Sequence, residues 1–272
     1  MNTIINLCKT NKQIASEVCD FVYKAKPNEE SVTDYFLYRL KEANKKFNYI
    51  NTTQFNRRQE ATTGADYELE LWLVGQKIAI PLLIQAKKMY ANGNYCDAIN
   101  YPRKTTKQLN TLISYATVNK KIPFYMFYAI PDGSTQTMCG GSICGIDGKL
   151  DTCCLFLSDA LEIQKMANNC INSSSKVSKN NILAKSNPFI CLFCCPLTLH
   201  ENNIDDYFKH YYKSSYEFFG KFKISIEDMP DYAKRIMNNE VNDDYMESVI
   251  EKFELDKIKN IAVMKIDNIG IQ

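Results

Sequence analysis

The sequence has few of the features that mark several common protein classes. It holds only two histidines in 272 residues, and no serine or cysteine pattern near them indicates a catalytic triad. No Gly-Lys-Ser or Gly-Lys-Thr sequence is present to hold a nucleotide triphosphate. No apolar run approaches the roughly 18 residues that cross a bilayer, and the N-terminus lacks the apolar core of a signal peptide. We therefore expect a cytoplasmic protein without a membrane partner.

The net charge is also small. Lys and Arg total 33 and Asp and Glu total 31, which gives a formal net charge of +2. A protein that coats nucleic acid without regard to sequence is usually strongly basic, so any nucleic-acid surface here must be a local patch. The hydrophobic content of 45% is ordinary for a folded protein.

The chain holds 11 cysteines, an odd number that fits poorly with a complete disulfide framework. Without a secretion signal, they indicate reduced thiols. Cys191-x-x-Cys194-Cys195 has half of a zinc spacing, but the cysteines at positions 139, 144, 153 and 154 form no tidy second pair. Leu, Phe and Ile surround the cysteines at 191–195, so we favour core residues over a structural zinc site.

Residues 60–88 organise the rest of the chain. Leu69, Leu71 and Leu73 alternate with polar or aromatic residues, and this period of two predicts a strand. Residues 75–77 can turn the chain, and the apolar residues 78–84 predict a second, more buried strand. Pro81 donates no hydrogen bond and argues against regular pairing at that point. The pattern predicts a β-hairpin.

Such a hairpin brings Asp66, at the start of its first strand, close to the end of its second strand. Gln85 and Lys87 end that strand and point to the same face, because strand side chains alternate. Asp66 offers a carboxylate, and Gln85 and the Ala86 carbonyl offer neutral oxygens, which are ligands that Mg²⁺ accepts. Lys87 can orient a water molecule or offset transition-state charge. The pattern therefore favours metal-assisted hydrolysis of a phosphodiester.

Asp66 followed by Gln85-x-Lys87 resembles the PD-(D/E)xK superfamily of restriction-endonuclease-like nucleases, in the Gln-x-Lys variant of Mrr-like enzymes. Longer segments resemble an uncharacterised bacterial branch of that superfamily that is suspected of roles in phage defence. They are residues 29–34, 55–68, 85–88, 153–160 and 188–195. The likeness covers residues 28–196 and implies a fold and a reaction class, but no substrate.

The resemblance also implies that an acid from a preceding helix completes the metal site. Residues 29–46 predict an amphipathic helix capped by Asn28. Glu29 extends the apolar face of this helix, whereas Glu30 lies beside Asp34 on an adjoining face. We therefore favour Glu29 over Glu30. Acids in a first helical turn also stabilise the helix dipole without any catalytic role.

Basic side chains near the predicted site are candidates for gripping phosphates. They are Arg57, Arg58, Lys88, Arg103 and Lys104. Solvated surface residues are the alternative interpretation. Gln108, in a predicted helix at residues 105–119, is a further candidate for the border of the site.

The predicted order of helix, strand, hairpin, helix and strand is the one that the superfamily core requires. We expect an α/β fold with a restriction-endonuclease-like core, in which helices flank a central mixed sheet. Residues 1–199 would form this nuclease-like domain. Residues 200–272 would form a mainly helical C-terminal extension packed on it, with a final strand at 260–267.

The resemblance implies a metal-dependent endonuclease that uses Mg²⁺ or Mn²⁺, and we expect DNA rather than RNA as its substrate. Asp66, Gln85 and Glu29 would bind the metal. Gln85 replaces the usual acid of the motif, and the loss of one negative ligand keeps two alternatives open. One is a catalytically inactive binding or scaffold subunit, and the other is an RNA nuclease. Each of these functions is compatible with a homo-oligomer or with a partner protein of a defence system.

Overall fold

A computed structural model gives the fold of the chain. It describes residues 2–54, 67–89, 95, 99, 102–103, 106–139, 153–173, 177–194, 204–253 and 255–266. Every contact reported below lies within these ranges.

Two helices form the N-terminal part, α1 (Asn2–Ala25) and α2 (Glu29–Phe47). Asn28 is the N-cap of α2, and its Oδ1 accepts a hydrogen bond of 2.8 Å from the backbone N–H of Ser31. This bond satisfies one of the backbone donors that the first turn of a helix leaves free. The predicted helix and its cap are confirmed.

The predicted hairpin is also present. After β1 (Ile50–Gln54), strands β2 (Tyr67–Val74) and β3 (Ile78–Lys88) pair in antiparallel fashion, and the N–H of Gly75 bonds to the carbonyl of Ile78 at 2.8 Å. Pro81 does not interrupt β3. On the edge of β3 away from β2, residues 78–79 pair with one later strand and residues 82–88 pair with another. Pro81 lies in the gap between these two ladders, so no hydrogen bond of the sheet requires the N–H that proline lacks.

The remaining elements before residue 195 follow in chain order. They are β4 (Pro102–Arg103), β5 (Thr106–Lys107), α3 (Gln108–Val118), β6 (Ile122–Tyr128), β7 (Leu155–Asp159), α4 (Ala160–Ser173), α5 (Lys179–Leu183) and β8 (Ser186–Pro188). Among the described strands, β4 and β5 form a separate two-stranded sheet.

The C-terminal part is mainly helical, as expected. It contains α6 (Ile204–Tyr211), α7 (Lys213–Phe219), a 3₁₀ turn (Gly220–Phe222), β9 (Ile224–Ser225), α8 (Asp231–Asn238), α9 (Asp243–Lys252), a second 3₁₀ turn (Leu255–Lys257) and β10 (Ile258–Lys265). The expected boundary between residues 199 and 200 lies outside the described residues.

Apart from β4 and β5, the described strands form one mixed sheet in the order β1-β10-β2-β3-β6-β7-β8. Strand β9 pairs with the part of the same edge of β3 that β6 does not cover. β10 is parallel to β2 and antiparallel to β1. The C-terminal part therefore contributes an internal strand to the sheet that the N-terminal part builds. The expected α/β fold with a central mixed sheet flanked by helices is confirmed.

Helices cover both faces of this sheet. On one face, the Thr33 hydroxyl of α2 bonds to the Tyr128 hydroxyl of β6. On the other face, α3 reaches β3 through Gln108 and Gln85, and Tyr232 of α8 reaches β2. Both faces are consequently buried, which explains the nearly continuous apolar sequence of β3 and β6. Among the described helices, none is long and apolar enough to cross a membrane.

The cysteines of the described chain lie mostly in the core. Cys153, Cys154, Cys191 and Cys194 are free and buried, in agreement with the preferred interpretation. Within the described ranges, no group of three or more His, Cys, Asp or Glu side chains is arranged to hold a metal ion. Cys170 is disulfide-bonded, so the expectation of reduced thiols is wrong at this position.

Candidate active site

The end of β3 presents an amide and an ammonium group on the same face of the sheet. Gln85 and Lys87 alternate with Ala86, and they pair with Tyr125 and Phe127 of the neighbouring β6. Gln85 is buried and Lys87 is half-buried. The ladder with β6 therefore fixes both residues in the strand and directs their side chains to one face of the sheet.

Helix α2 places an acid at this strand end. Glu29 is the first residue of the helix, and its Oε2 accepts a hydrogen bond of 2.8 Å from the backbone N–H of Lys88. The Lys88 ammonium in turn donates to the carbonyl of Pro27 at 2.5 Å. These two bonds, together with the bond between Thr33 and Tyr128, hold the start of α2 against the end of β3.

Burial dominates the electrostatics of Glu29. It raises the pKa of this carboxyl above its ordinary value, because the charged form loses hydration. The positive charge of Lys87 and the hydrogen bond from Lys88 act in the opposite direction and offset only part of this effect. A cation bound at this carboxyl would favour its charged form and offset part of the cost of burial.

A pair of amides flanks the strand on its other side. The Gln108 Nε2, at the start of α3, donates to the Gln85 Oε1 at 3.4 Å, and the Gln85 Nε2 donates to the Ala86 carbonyl at 3.3 Å. An amide oxygen has two lone pairs, so the Gln85 Oε1 retains one for a further ligand. The Gln108 Oε1 is buried and has no hydrogen-bond partner among the described residues. Gln108 is therefore a buried residue in contact with Gln85.

The two acids at the start of α2 have different surroundings. The Glu30 Oε1 forms an ion pair of 2.6 Å with the Lys259 ammonium of β10, and the Glu30 side chain is 47% exposed. Glu29 instead lies at the end of β3. Lys259 was not found by sequence reasoning, because the position of β10 beside β2 is a long-range feature that no local pattern encodes.

Several predicted site residues cannot be placed. Asp66, Arg57, Arg58 and Lys104 lie outside the described residues, and Asp66 directly precedes the first residue of β2. Arg103 belongs to β4, and its side chain is not described. The structure therefore brings together Glu29, Gln85, Lys87, Lys88 and Gln108 from three separate segments.

The available donors fit the expected metal in type. The Glu29 carboxylate and the Gln85 amide oxygen are hard oxygen ligands, which suit Mg²⁺ or Mn²⁺ better than a thiophilic metal.

A family model matches residues 7–265. The chain belongs to DUF6615, a family of unknown function. The match spans both the hairpin and β10, so the whole sheet described above falls within the family's limits. Neither the curated proteins nor the solved structures contain a match to the chain.

Proposed function

We propose that this DUF6615 protein is a metal-dependent nuclease that hydrolyses phosphodiester bonds, with DNA as its substrate. The observation that carries the proposal is the contact between Glu29 and the end of β3. It places a helix carboxylate next to Gln85-x-Lys87, where the resemblance to PD-(D/E)xK nucleases requires one.

Each residue has a chemical role in this proposal. Glu29 and Gln85 supply oxygen ligands, and the resemblance adds the carboxylate of Asp66. A bound Mg²⁺ or Mn²⁺ would supply Lewis-acid activation of water. The Lys87 ammonium, on the same face as Gln85, orients the attacking water or offsets the negative charge that develops on phosphorus oxygens. The Gln108 side chain holds the Gln85 amide in place.

The charge around the candidate site is mixed. Lys87 lies near Glu29, and Lys259 is paired with Glu30, so acids balance these two ammonium groups. DNA rather than RNA is our expectation and is tested by a comparison of substrates, whereas the role in anti-phage defence rests on the resemblance alone. Phage plating on cells with and without the gene tests the defence role, and equal plaque counts across diverse phages would argue against it.

A rival function from another class is a binding or scaffold subunit that does not cleave. Gln85 favours it, because a neutral amide replaces the acid of the usual motif and removes one negative metal ligand. Metal titration by calorimetry separates the two functions. A nuclease binds Mg²⁺ or Mn²⁺ and loses this binding in Asp66→Ala. A binding subunit shows no metal binding that depends on Asp66, and it binds nucleic acid without cleaving it.

Cleavage of supercoiled plasmid with Mg²⁺ or Mn²⁺ tests the proposal directly. Wild type is compared with Asp66→Ala and Lys87→Ala, and we expect both variants to lose cleavage while thermal melting shows that they remain folded. Lys45→Ala is a matched lysine control, because Lys45 is 71% exposed on α2 and far along the helix from Glu29. Asp244→Ala is the matched aspartate control, because this residue is exposed on α9.

The outcomes of this experiment are distinct. Cleavage lost in both site variants and kept in both controls supports the assigned site. Cleavage that persists in Lys87→Ala and Asp66→Ala would show that the nuclease site lies elsewhere. If wild type cleaves nothing with either metal, the binding-subunit function is favoured.

A further inference from the structure

A cavity lies on the same face of the sheet as Gln85, but nearer the start of β3. Its volume is about 530 Å³, within the range of small-molecule sites. Trp72 of β2 and Pro81 of β3 are paired neighbours in the sheet and line this cavity. Pro81 precedes Gln85 by four residues, which corresponds to about 13 Å of strand. The cavity is therefore separate from the candidate active site.

A buried polar network fixes the orientation of aromatic side chains that line this cavity. Glu70 is fully buried and forms an ion pair with Lys121. Its Oε1 also accepts hydrogen bonds of 2.6 Å from the Trp72 indole and 2.6 Å from the Tyr232 hydroxyl. Both aromatic rings line the cavity and are held in place by the same carboxylate. Because Lys121 neutralises Glu70, this acid does not repel an anionic ligand.

Aromatic side chains form much of the remaining wall. Tyr232 and Phe253 meet edge to face, with ring centroids 5.0 Å apart and planes at 62°. Phe222 adds a third ring, which is only partly buried. Rings that are locked by packing and hydrogen bonds provide flat apolar surfaces against which a planar ligand stacks without further ordering of the protein.

The charged groups that line the cavity favour an anion. Lys120 and Lys221 both line it, and among the described residues neither forms a salt bridge. The Lys221 ammonium lies 5.5 Å from the centre of the Phe222 ring, so a positive charge and an aromatic face are adjacent. Asp228 is the acid that lines the same cavity, and it accepts a hydrogen bond of 2.8 Å from the Ser225 hydroxyl.

We propose that this cavity binds a small planar organic anion with the chemistry of a mononucleotide. The base stacks on the partly exposed rings of Phe222 and Phe253, and the phosphate is held by Lys120 and Lys221. The inference stands apart from the proposed nuclease function, since none of these residues belongs to the candidate active site.

The only tryptophan of the chain lines this cavity, so its fluorescence reports on the cavity alone. The purified full chain is titrated with adenosine monophosphate and guanosine monophosphate, and with adenosine and ribose 5-phosphate as ligands that lack the phosphate or the base. We expect a saturable change with at least one mononucleotide. Binding of adenosine and of ribose 5-phosphate should be at least about tenfold weaker, because each lacks one of the two recognised groups.

Variants locate the binding. The double variant Lys120→Gln with Lys221→Gln should weaken mononucleotide binding at least about tenfold, since it removes both cavity ammonium groups. The matched double control is Lys24→Gln with Lys45→Gln, two lysines that are each 71% exposed on other helices. It should bind as wild type does. Circular dichroism melts establish that all variants are folded.

Three results would overturn the inference. The first is the absence of a saturable change with either mononucleotide. The second is equal affinity of the cavity double variant and wild type. The third is equal affinity for ribose 5-phosphate or for adenosine, because the cavity would then recognise only one half of the ligand. The titration contains neither metal nor DNA, so a failed nuclease assay does not affect this test.

Discussion

The Glu29 carboxylate accepts a hydrogen bond of 2.8 Å from the backbone N–H of Lys88, 59 residues away in sequence. This bond joins the first residue of α2 to the last residue of β3. It fixes where an acid from one segment lies relative to Gln85 and Lys87 from another. The neighbouring Glu30 points to Lys259 instead, so the fold distinguishes two adjacent acids that the sequence presents as near equivalents.

Replacing Glu29 by Gln should separate activity from stability. The amide oxygen of Gln can still accept the Lys88 N–H, but it carries no charge for a metal. We expect plasmid cleavage to fall by at least about tenfold, a loss typical of damage to a metal site. Glu30→Gln is the matched control. It removes only a half-exposed ion pair and should retain cleavage. Equal losses in both variants would contradict the assignment of Glu29.

The pH dependence of stability should differ between wild type and Glu29→Gln. Burial raises the pKa of Glu29 in the folded chain, so the native state binds more protons than the unfolded state in the interval above the ordinary pKa. Proton binding therefore contributes to the stability of the folded state at low pH, and this contribution is lost as pH rises through the raised pKa. The Gln variant should therefore gain stability relative to wild type as pH rises, and near neutral pH its unfolding free energy should lie within about 1 kcal/mol of wild type or above it.

Urea unfolding at several pH values measures this difference. If the variant becomes less stable relative to wild type as pH rises, the carboxylate is stabilised in the folded state and the proposed cause of the pKa shift is wrong.

The N-cap of α2 should affect both stability and the site. Asn28→Ala removes the bond to the Ser31 N–H and should cost about 0.5–2 kcal/mol of unfolding free energy. Because Glu29 follows directly, disorder at the helix start should also lower cleavage. Asn28→Ser retains a capping oxygen and should restore most of both properties. Chemical denaturation and the plasmid assay provide the readouts. A full loss in the Ser variant would show that capping is not the cause.

Removing only one member of the buried ion pair between Glu70 and Lys121 should strongly lower the unfolding free energy. Lys121→Met leaves the Glu70 charge buried without its partner and should lower the unfolding free energy by about 3–5 kcal/mol. Adding Glu70→Gln should recover a large part of this loss, since the remaining partners Trp72 and Tyr232 can donate to an amide oxygen.

Lys24→Met is the control for this prediction. It breaks an exposed pair with Asp20 that solvent screens, so its unfolding free energy should stay close to that of wild type. A double variant as unstable as Lys121→Met alone would show that the loss comes from packing of the lysine stem rather than from an unpaired charge.

Cys139 should be the most reactive thiol among the free cysteines described. The hydrogen bond with Cys191, assisted by one with Thr137, lowers the pKa of Cys139 to about 7. The same hydrogen bond with Cys139, followed by burial, raises the pKa of Cys191 well above its ordinary value. Iodoacetamide should therefore modify Cys139 first, at a rate that rises as pH passes about 7, because the thiolate is the nucleophile.

Mass spectrometry of peptides after brief alkylation measures the order of modification. Cys139→Ser should abolish the fast phase and leave the buried thiols slow. A fast phase that persists in this variant, or a rate independent of pH in this interval, would contradict the prediction.

Local sequence patterns determined much of the fold. The alternation in residues 69–73 indicates β2, the helical spacing after Asn28 indicates α2, and the cap residue marks where that helix begins. These features depend on neighbours within a few residues, so the sequence alone is sufficient to predict them. The same holds for the shared face of Gln85 and Lys87, which follows from strand alternation.

Only the tertiary structure decided which distant segments meet. β10 lies between β1 and β2, Lys259 pairs with Glu30, and Glu70 becomes a fully buried acid although it lies in an alternating strand. Each of these three features depends on how segments that are far apart in sequence pack together. Many strand pairings satisfy the same local pattern, and the burial of both sheet faces selects one of them. The sequence by itself determined the candidate groups at the end of β3. The packing of α2 determined that Glu29, rather than Glu30, lies beside them.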